Sequence, residues 1–287
     1  MNWKKEPLEA GLYLVSTPIG AARDITLRAL DVLASADVLV AEDTRTLRKL
    51  MDLHAVPLDG RRVQSYHDHS GSAARDRIVE AVRSGQSVAY ASEAGTPLIA
   101  DPGYELVTAV RQAGGTVTAA PGASALLTAL TVAGLPTDAV HFLGFLPASQ
   151  TARRAALTDV AGIAATLVLY ESPKRVVACL RDAAHVLGPR RAVLARELTK
   201  RFEEVRDGTL ASFLKDEEHL TLKGEYVILI DRSTSEGASD EEVVAALNTA
   251  LMDTSLKEAV ALVAGATGTP RRTVYQMALT LKSGKNS

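Results

Sequence analysis

The chain has 287 residues, enough for two domains or one large one. Its 47% hydrophobic and 23% charged content is ordinary for a soluble globular protein, and a formal net charge of −2 gives no global attraction to nucleic acid, so any RNA contact must come from local patches. The one cysteine, Cys179, excludes intrachain disulfides, cysteine-based zinc sites and iron–sulfur clusters; it falls in a helical pattern and reads as buried packing.

Aromatic residues make up only 4%, so the core is built from small aliphatics. Met1–Glu6 lacks the apolar core of a secretion signal, and no apolar run approaches the ~20 residues of a membrane span. The expectation is a cytoplasmic protein without a membrane partner.

Gly11–Ser16 reads as a first strand, broken by Thr17-Pro18-Ile19-Gly20. Thr26 caps a helix reaching about Ala34. A strand over Ala36–Ala41 ends in Glu42-Asp43-Thr44-Arg45, where a helix starts. Acids at that position serve either helix-start electrostatics or a functional rim, and the sequence leaves both open. Val63–Gly71 is a short strand entering a polar loop. His67 and His69 there do not complete a metal-ligand set, so a substrate-facing loop is the better reading.

A helix over about Ala74–Ser84 leads to the strand Ser87–Ala91 and the long loop Ser92–Gly103, which organises the chain. Two glycines and two prolines fix its path, and small residues such as Ala94 and Gly95 let backbone groups approach a ligand. In α/β folds, ligands bind at loops leaving the carboxyl ends of strands. This loop carries neither a dinucleotide fingerprint nor a Walker lysine. A helix over Tyr104–Ala113, a strand over Thr116–Ala119 and a turn at Pro121–Ala125 into a helix follow. The strand–helix alternation predicts a parallel-sheet domain over residues 1–137.

Residues 138–232 have fewer helices per strand, which predicts a second α/β domain with a mixed sheet. Its elements are a strand and apolar loop over Ala139–Pro147, a helix over Thr151–Val160 carrying Arg153-Arg154, strands over Ala165–Tyr170, Arg190–Ala195 and Tyr226–Ile230, and a helix after Pro173. The Ser-containing Asp231–Asp240 is a linker. Three helical patterns fill 240–287, a helix-turn-helix-like tail ending in Arg271, Arg272, Lys282 and Lys285; packing and RNA-binding roles both stay open for it.

Six segments recur in one order: Thr17–Gly20, Ala41–Arg45, Ser65-Tyr66-His67, Ser92–Gly103, Tyr170–Pro173 and Arg196–Lys200. Together they resemble the ribosomal RNA small-subunit methyltransferase I family, within the tetrapyrrole-methylase-like class of S-adenosylmethionine enzymes. The resemblance spans residues 11–230 and weakens into the tail. It implies two α/β domains with the cofactor between them, no metal, no DNA partner and a homodimer that methylates the ribose 2′-hydroxyl of a cytidine in the decoding region of 16S rRNA. It assigns cofactor contacts to Pro18, to Ala94, Gly95, Thr96 and Ile99, to Ser124 and Ala125, to Tyr170 and Glu171, and to Ala195. The chain departs from many members in having Ala21-Ala22 for Asn-Leu and Glu93 for Asp.

Under that reading a general base would help a ribose hydroxyl attack. Asp43, Glu42 and His67 are the catalytic candidates, with Glu171 and Lys200 behind them; Asp43 is favoured, with Arg45 on a phosphate. Arg45, Arg48, Lys49, Arg153, Arg154, Lys200 and Arg201 are the local cations for RNA. Tyr66 or Phe145 could stack on an extruded base, with core packing preferred for Phe145. A tetrapyrrole or other small-molecule methylase and a non-catalytic RNA-binding assembly factor are the competing readings.

Overall fold

The computed structural model describes residues 2–67, 70–232, 240–267, 269 and 271–284. The expectations for His69, Lys285 and the linker beyond Arg232 lie outside these residues.

The first lobe alternates β1 (Gly11–Val15), α1 (Leu27–Ser35), β2 (Val38–Ala41), α2 (Thr44–Leu53), β3 (Val63–Ser65), α3 (Ser72–Arg83), β4 (Ser87–Ala91), α4 (Tyr104–Gln112), β5 (Val117–Ala120) and α5 (Ala125–Ala133). Its five strands are all parallel, in the order β3-β2-β4-β1-β5. Successive side chains alternate between two covered faces. Val15, Leu39, Ala89 and Ala91 pack on α1 and α2, while Leu12, Val40, Val88 and Tyr90 pack on α3 and α4. That double coverage is why β4 reads as an unbroken small apolar run.

The second lobe contains β6 (Val140–Phe145), α6 (Gln150–Asp159), β7 (Thr166–Glu171), α7 (Val176–Leu187), β8 (Arg191–Arg196), β9 (Glu204–Thr209), α8 (Leu210–Lys215) and β10 (Tyr226–Ile230). The sheet order is β6-β7-β10-β8-β9, with β6 parallel to β7 and the other pairs antiparallel, a mixed sheet as expected. One face, with Leu167, Leu169, Leu194 and Ile228, packs on α6, α7 and α8. The other, with Val168, Val193, Val227 and Leu229, packs on Ala129, Leu130 and Ala133 of α5. So α5 leaves the first sheet and roofs the second. Cys179 is buried in this lobe, and burial pushes its thiol up to about 12.

The sequence reading leaves β9 and α8 unassigned. β9 is the polar edge strand EVRDGT, alternating partly buried and exposed residues, and has no apolar run to reveal it. In the tail, α9 (Asp240–Asp253), α10 (Leu256–Thr267) and α11 (Arg271–Gly284) share a core of their own around Val243, Leu247, Val263 and Val274.

Candidate functional site: a cleft between the lobes

The parallel order puts β1 between β4 and β5, so the chain crosses β1 as it passes from β4 through α4 to β5. Loops leaving β1, β4 and β5 converge at this switch point, where α/β sheets bind ligands. Thr17 and Gly95 exchange both backbone hydrogen bonds, Thr17 N to Gly95 O at 2.9 Å and Gly95 N to Thr17 O at 3.0 Å. Ser92 Oγ donates to Gly95 O at 2.7 Å, and Thr96 Oγ1 donates to Ala123 O at 3.0 Å, binding the β4 loop to the β5 loop.

The loop is held under strain. Leu98 (φ 72°) and Ala100 (φ 61°) sit in the left-handed region, at roughly 1–2 kcal/mol each. Gly95 has φ 82°, a left-handed conformation that favours glycine, and a Cβ there would come within 3.3 Å of Ile19 Cγ2, a close contact.

Between these loops and the second lobe lies a cleft of about 460 Å³. Of the residues the resemblance assigns to the cofactor, Ala94, Gly95, Thr96, Ile99, Ser124, Ala125, Tyr170 and Glu171 line it. Pro18 flanks it, next to the lining residue Ile19. Ala195 does not line it: it is 1% exposed and packs into the core beneath α5, while its cross-strand partner Val227 on β10 reaches the cleft. Gly224–Val227 and Asp101 also line it, beyond the residues named from the sequence, as does Phe145, named there only as a stacking candidate with core packing preferred.

Tyr170 ties the lobes together. Its hydroxyl oxygen accepts Leu126 N–H at 2.9 Å, satisfying a donor at the start of α5, whose N-cap Ser124 makes no side-chain cap. Burial, with a smaller push from Asp101, raises the phenol above its ordinary value. A second tie joins the β1 exit to the β8–β9 loop, where Thr199 Oγ1 accepts Ala21 N–H at 3.0 Å. A Cβ on Gly20 would meet Lys200 Cγ at 2.5 Å and Leu198 O at 3.0 Å, so glycine permits this approach.

The lining is acidic. Glu42, Glu93, Asp101, Glu171 and Glu225 all face the cleft, and among the described lining residues there is no lysine, arginine or histidine. Arg175 lies 3.2 Å from Glu171 Oε2, and Lys200 Nζ donates to Glu225 Oε2 at 2.8 Å. Glu171 is buried; its Oε1 accepts Ser172 N–H at 2.7 Å, and its Oε2 has no aligned hydrogen bond, leaving a buried acceptor at the cleft wall.

The structure revises the remaining assignments. Asp43 is the N-cap of α2, accepting Arg45 N–H at 2.7 Å and Thr46 N–H at 3.2 Å. Bonding from the Arg45 guanidinium, then from those amides, lowers its carboxyl further. It does not line the cleft, and its carboxylate is engaged in the helix-start role, one of the two the sequence left open. Glu42 does line it, at the end of β2, its Oε2 accepting Glu93 N–H at 3.2 Å. His67 is exposed on the loop after β3 and lines no part of the cleft.

Arg45 is exposed and pairs with Asp43 at 3.1 Å, outside the cleft lining. Tyr66 is 5% exposed and packs edge-on against Tyr90, which removes it from base stacking. Arg153 is 5% exposed and buried against Asp182, so it is a structural cation; Arg154 binds the same carboxylate at 2.7 Å and keeps a partly exposed side chain. Lys200 bridges Glu197 and Glu225; burial would lower it, but the two carboxylates outweigh that and hold it above its usual value. Among the described residues, no group of three or more His, Cys, Asp or Glu is arranged to hold a metal ion, and no helix is long and apolar enough to cross a membrane.

Residues 11–214 match the family model for Tetrapyrrole (Corrin/Porphyrin) Methylases, and residues 237–282 match the RsmI C-terminal HTH domain. The chain is 41% identical over 281 residues to ribosomal RNA small subunit methyltransferase I of Mesorhizobium japonicum, covering 96% of this chain and 94% of the relative. It is 42% identical over 273 residues to the Vibrio cholerae protein of the same name, covering 93% and 94%. The chain belongs to the ribosomal RNA small subunit methyltransferase I family.

That family is one of S-adenosylmethionine-dependent methyltransferases within the tetrapyrrole methylase class. Solved structures give the same fold. Diphthine synthase superposes with a TM-score of 0.60 at 16% identity, covering 77% of this chain and 89% of that one. Uroporphyrin-III C-methyltransferase from Thermus thermophilus, complexed with S-adenyl homocysteine, gives 0.52 at 20% identity, covering 76% and 96%.

The cleft suits the family's cofactor. Its volume falls in the ~300–1,000 Å³ range of small-molecule sites. Gly95 lets backbone come close, and the acidic lining suits a cation.

Proposed function

We propose that this protein methylates the ribose 2′-hydroxyl of a cytidine in the decoding region of 16S rRNA, acting on the small ribosomal subunit. The observation that carries the reading is the acidic cleft at the switch point of the first sheet, lined among the described residues by carboxylates and no cation. S-adenosylmethionine, when bound, supplies an electrophilic methyl group on a positively charged sulfonium. Ala94, Gly95, Thr96, Ser124, Tyr170 and Glu171 are the residues that would hold it. The chain's own work is positioning and water exclusion, with the β4 loop pinned by Thr17 and Ala123 and the far wall fixed by Tyr170.

A 2′-hydroxyl is a weak nucleophile while protonated. We assign Glu42 as the carboxylate that accepts its proton, because it lines the cleft and Asp43 is occupied as a cap. Exposed Arg48 and Lys49 on α2 and Arg201 on the β8–β9 loop supply cations for phosphates outside the cleft. A polycarboxylate tetrapyrrole would need lysine or arginine in the lining, which disfavours the small-substrate alternative. The working form is read as a cytoplasmic homodimer without metal, DNA or membrane partner; apolar Leu127 and Val132, exposed on α5, offer area for a second copy.

The test is incubation of the protein with methyl-labelled S-adenosylmethionine and small subunits that lack the modification. Label is expected in an alkali-resistant, ribose-methylated dinucleotide. Label in a tetrapyrrole precursor, or cofactor binding with transfer to neither, would overturn the assignment.

A further inference from the structure

Phe145 ends β6 at the cleft and is 56% exposed. Ligand sites are concave and lined by apolar and aromatic side chains, so a ring exposed at the lip of such a cleft offers a contact face to a ligand. The surroundings fix this ring in place. It packs edge-on against Tyr170, with centroids 5.7 Å apart and planes at 69°, and Tyr170 is itself locked to α5 by Leu126. A register shift between Phe142 and Gly144, with Gly144 at φ 60°, re-aims the end of the strand.

The loop that follows is tied down by buried charges. Arg175 Nη2 donates to Leu146 O at 2.6 Å, and Arg153 Nη1 donates to Ala148 O at 3.0 Å. Arg153 is anchored on fully buried Asp182 and Arg175 on buried Glu171. Buried Arg153 and partly exposed Arg175 thus hold the short segment that presents one exposed ring.

We propose that Phe145 is the platform on which the base of the target nucleotide stacks. The inference rests on the RNA reading above and adds the residue that receives the base. A ribose hydroxyl in a folded particle reaches an interior carboxylate only if its nucleotide is drawn out of its stack, and the unstacked base then needs a flat partner. The inner part of the cleft is assigned to the cofactor; Phe145 lines the same cleft beside Tyr170, but more than half of it is exposed and it opens to solvent, where a macromolecule arrives. Tyr66, the other aromatic considered for this role, is buried.

The test compares Phe145→Ala, Phe145→Leu and Phe145→Tyr in the full chain, reading KM and equilibrium affinity for unmodified small subunits, and cofactor affinity by calorimetry. Ala and Leu are expected to raise KM for the particle about 5- to 150-fold while cofactor affinity stays within about twofold, because stacking needs a π face and not merely apolar bulk. Tyr is expected to restore wild-type behaviour. Loss of cofactor affinity with unchanged KM for the particle would move Phe145 to the cofactor and overturn the proposal, as would three variants indistinguishable from wild type. A wild-type protein that leaves the particle unlabelled would instead overturn the RNA reading itself.

Discussion

Glu42 and Asp43 are adjacent carboxylates with different work, and the backbone decides which does what. β2 ends at Ala41 and α2 begins at Thr44, so Asp43 falls on the N-cap and its oxygens turn to the amides of Arg45 and Thr46. Glu42, one residue earlier, extends to the cleft. The motif Glu-Asp-Thr-Arg is legible as a rim segment, but which acid caps depends on where the helix begins, and boundaries are the least legible feature of a sequence. Glu42→Gln keeps the shape and removes the basic oxygen. It is expected to lower kcat by about 10²–10⁴-fold, the usual worth of a general base, while affinity for S-adenosylmethionine falls by no more than the roughly fivefold that one lost cleft charge is worth. A kcat near wild type would mean that positioning alone drives the transfer, and Glu42 would lose its role.

At the level of elements, the strands covered on both faces announce themselves. β4, β7 and β10 are near-continuous apolar runs, and their ends match the expected bounds closely. What the sequence conceals is pairing. β10 runs antiparallel between β7 and β8, so its first residue, Tyr226, lies opposite Glu171 and brings Gly224–Val227 to the cleft; no local pattern carries that register. The Arg153-Arg154 pair reads as surface charge for the same reason: its partner, Asp182, arrives on α7 nearly thirty residues later.

That α6–α7 junction has a pH signature. Burial would raise Asp182, but bonding from Arg154, Arg153 and Gln150 outweighs it, and the carboxyl lies below its ordinary value. A lowered folded-state pKa stabilises the protein above the unfolded value of about 3.9, and this stability is lost as pH falls through the folded value. Asp182→Asn is therefore expected to cost about 3–5 kcal/mol near neutrality, because it leaves Arg153 buried without its counter-charge. The gap from wild type should narrow below about pH 4. Denaturant titrations across that range measure it; a gap independent of pH would show that packing, not the ion pair, sets the cost.

Across the whole molecule, charge is unevenly distributed. The chain is nearly neutral at −2, yet five carboxylates and no cations line the cleft among the described residues. A low-dielectric crevice focuses such a field, and its sign distinguishes the sulfonium methyl donor from the neutral thioether left after transfer. Two of the acids are matched, Glu171 by Arg175 and Glu225 by Lys200. Glu93 stands on the organising loop itself, and its amide donates to Glu42. Glu93→Gln preserves the backbone bond to Glu42 and removes one charge. Affinity for S-adenosylmethionine should fall by roughly up to fivefold, the scale of a partly exposed charge interaction, while affinity for S-adenosylhomocysteine changes little. The donor's advantage over the product in the wild-type protein should also shrink as ionic strength rises, since these charges are open enough to be screened. Calorimetry with both ligands at low and high salt separates the contributions. Equal losses for donor and product would mean that Glu93 shapes the loop, and that the cleft does not select its ligand by charge.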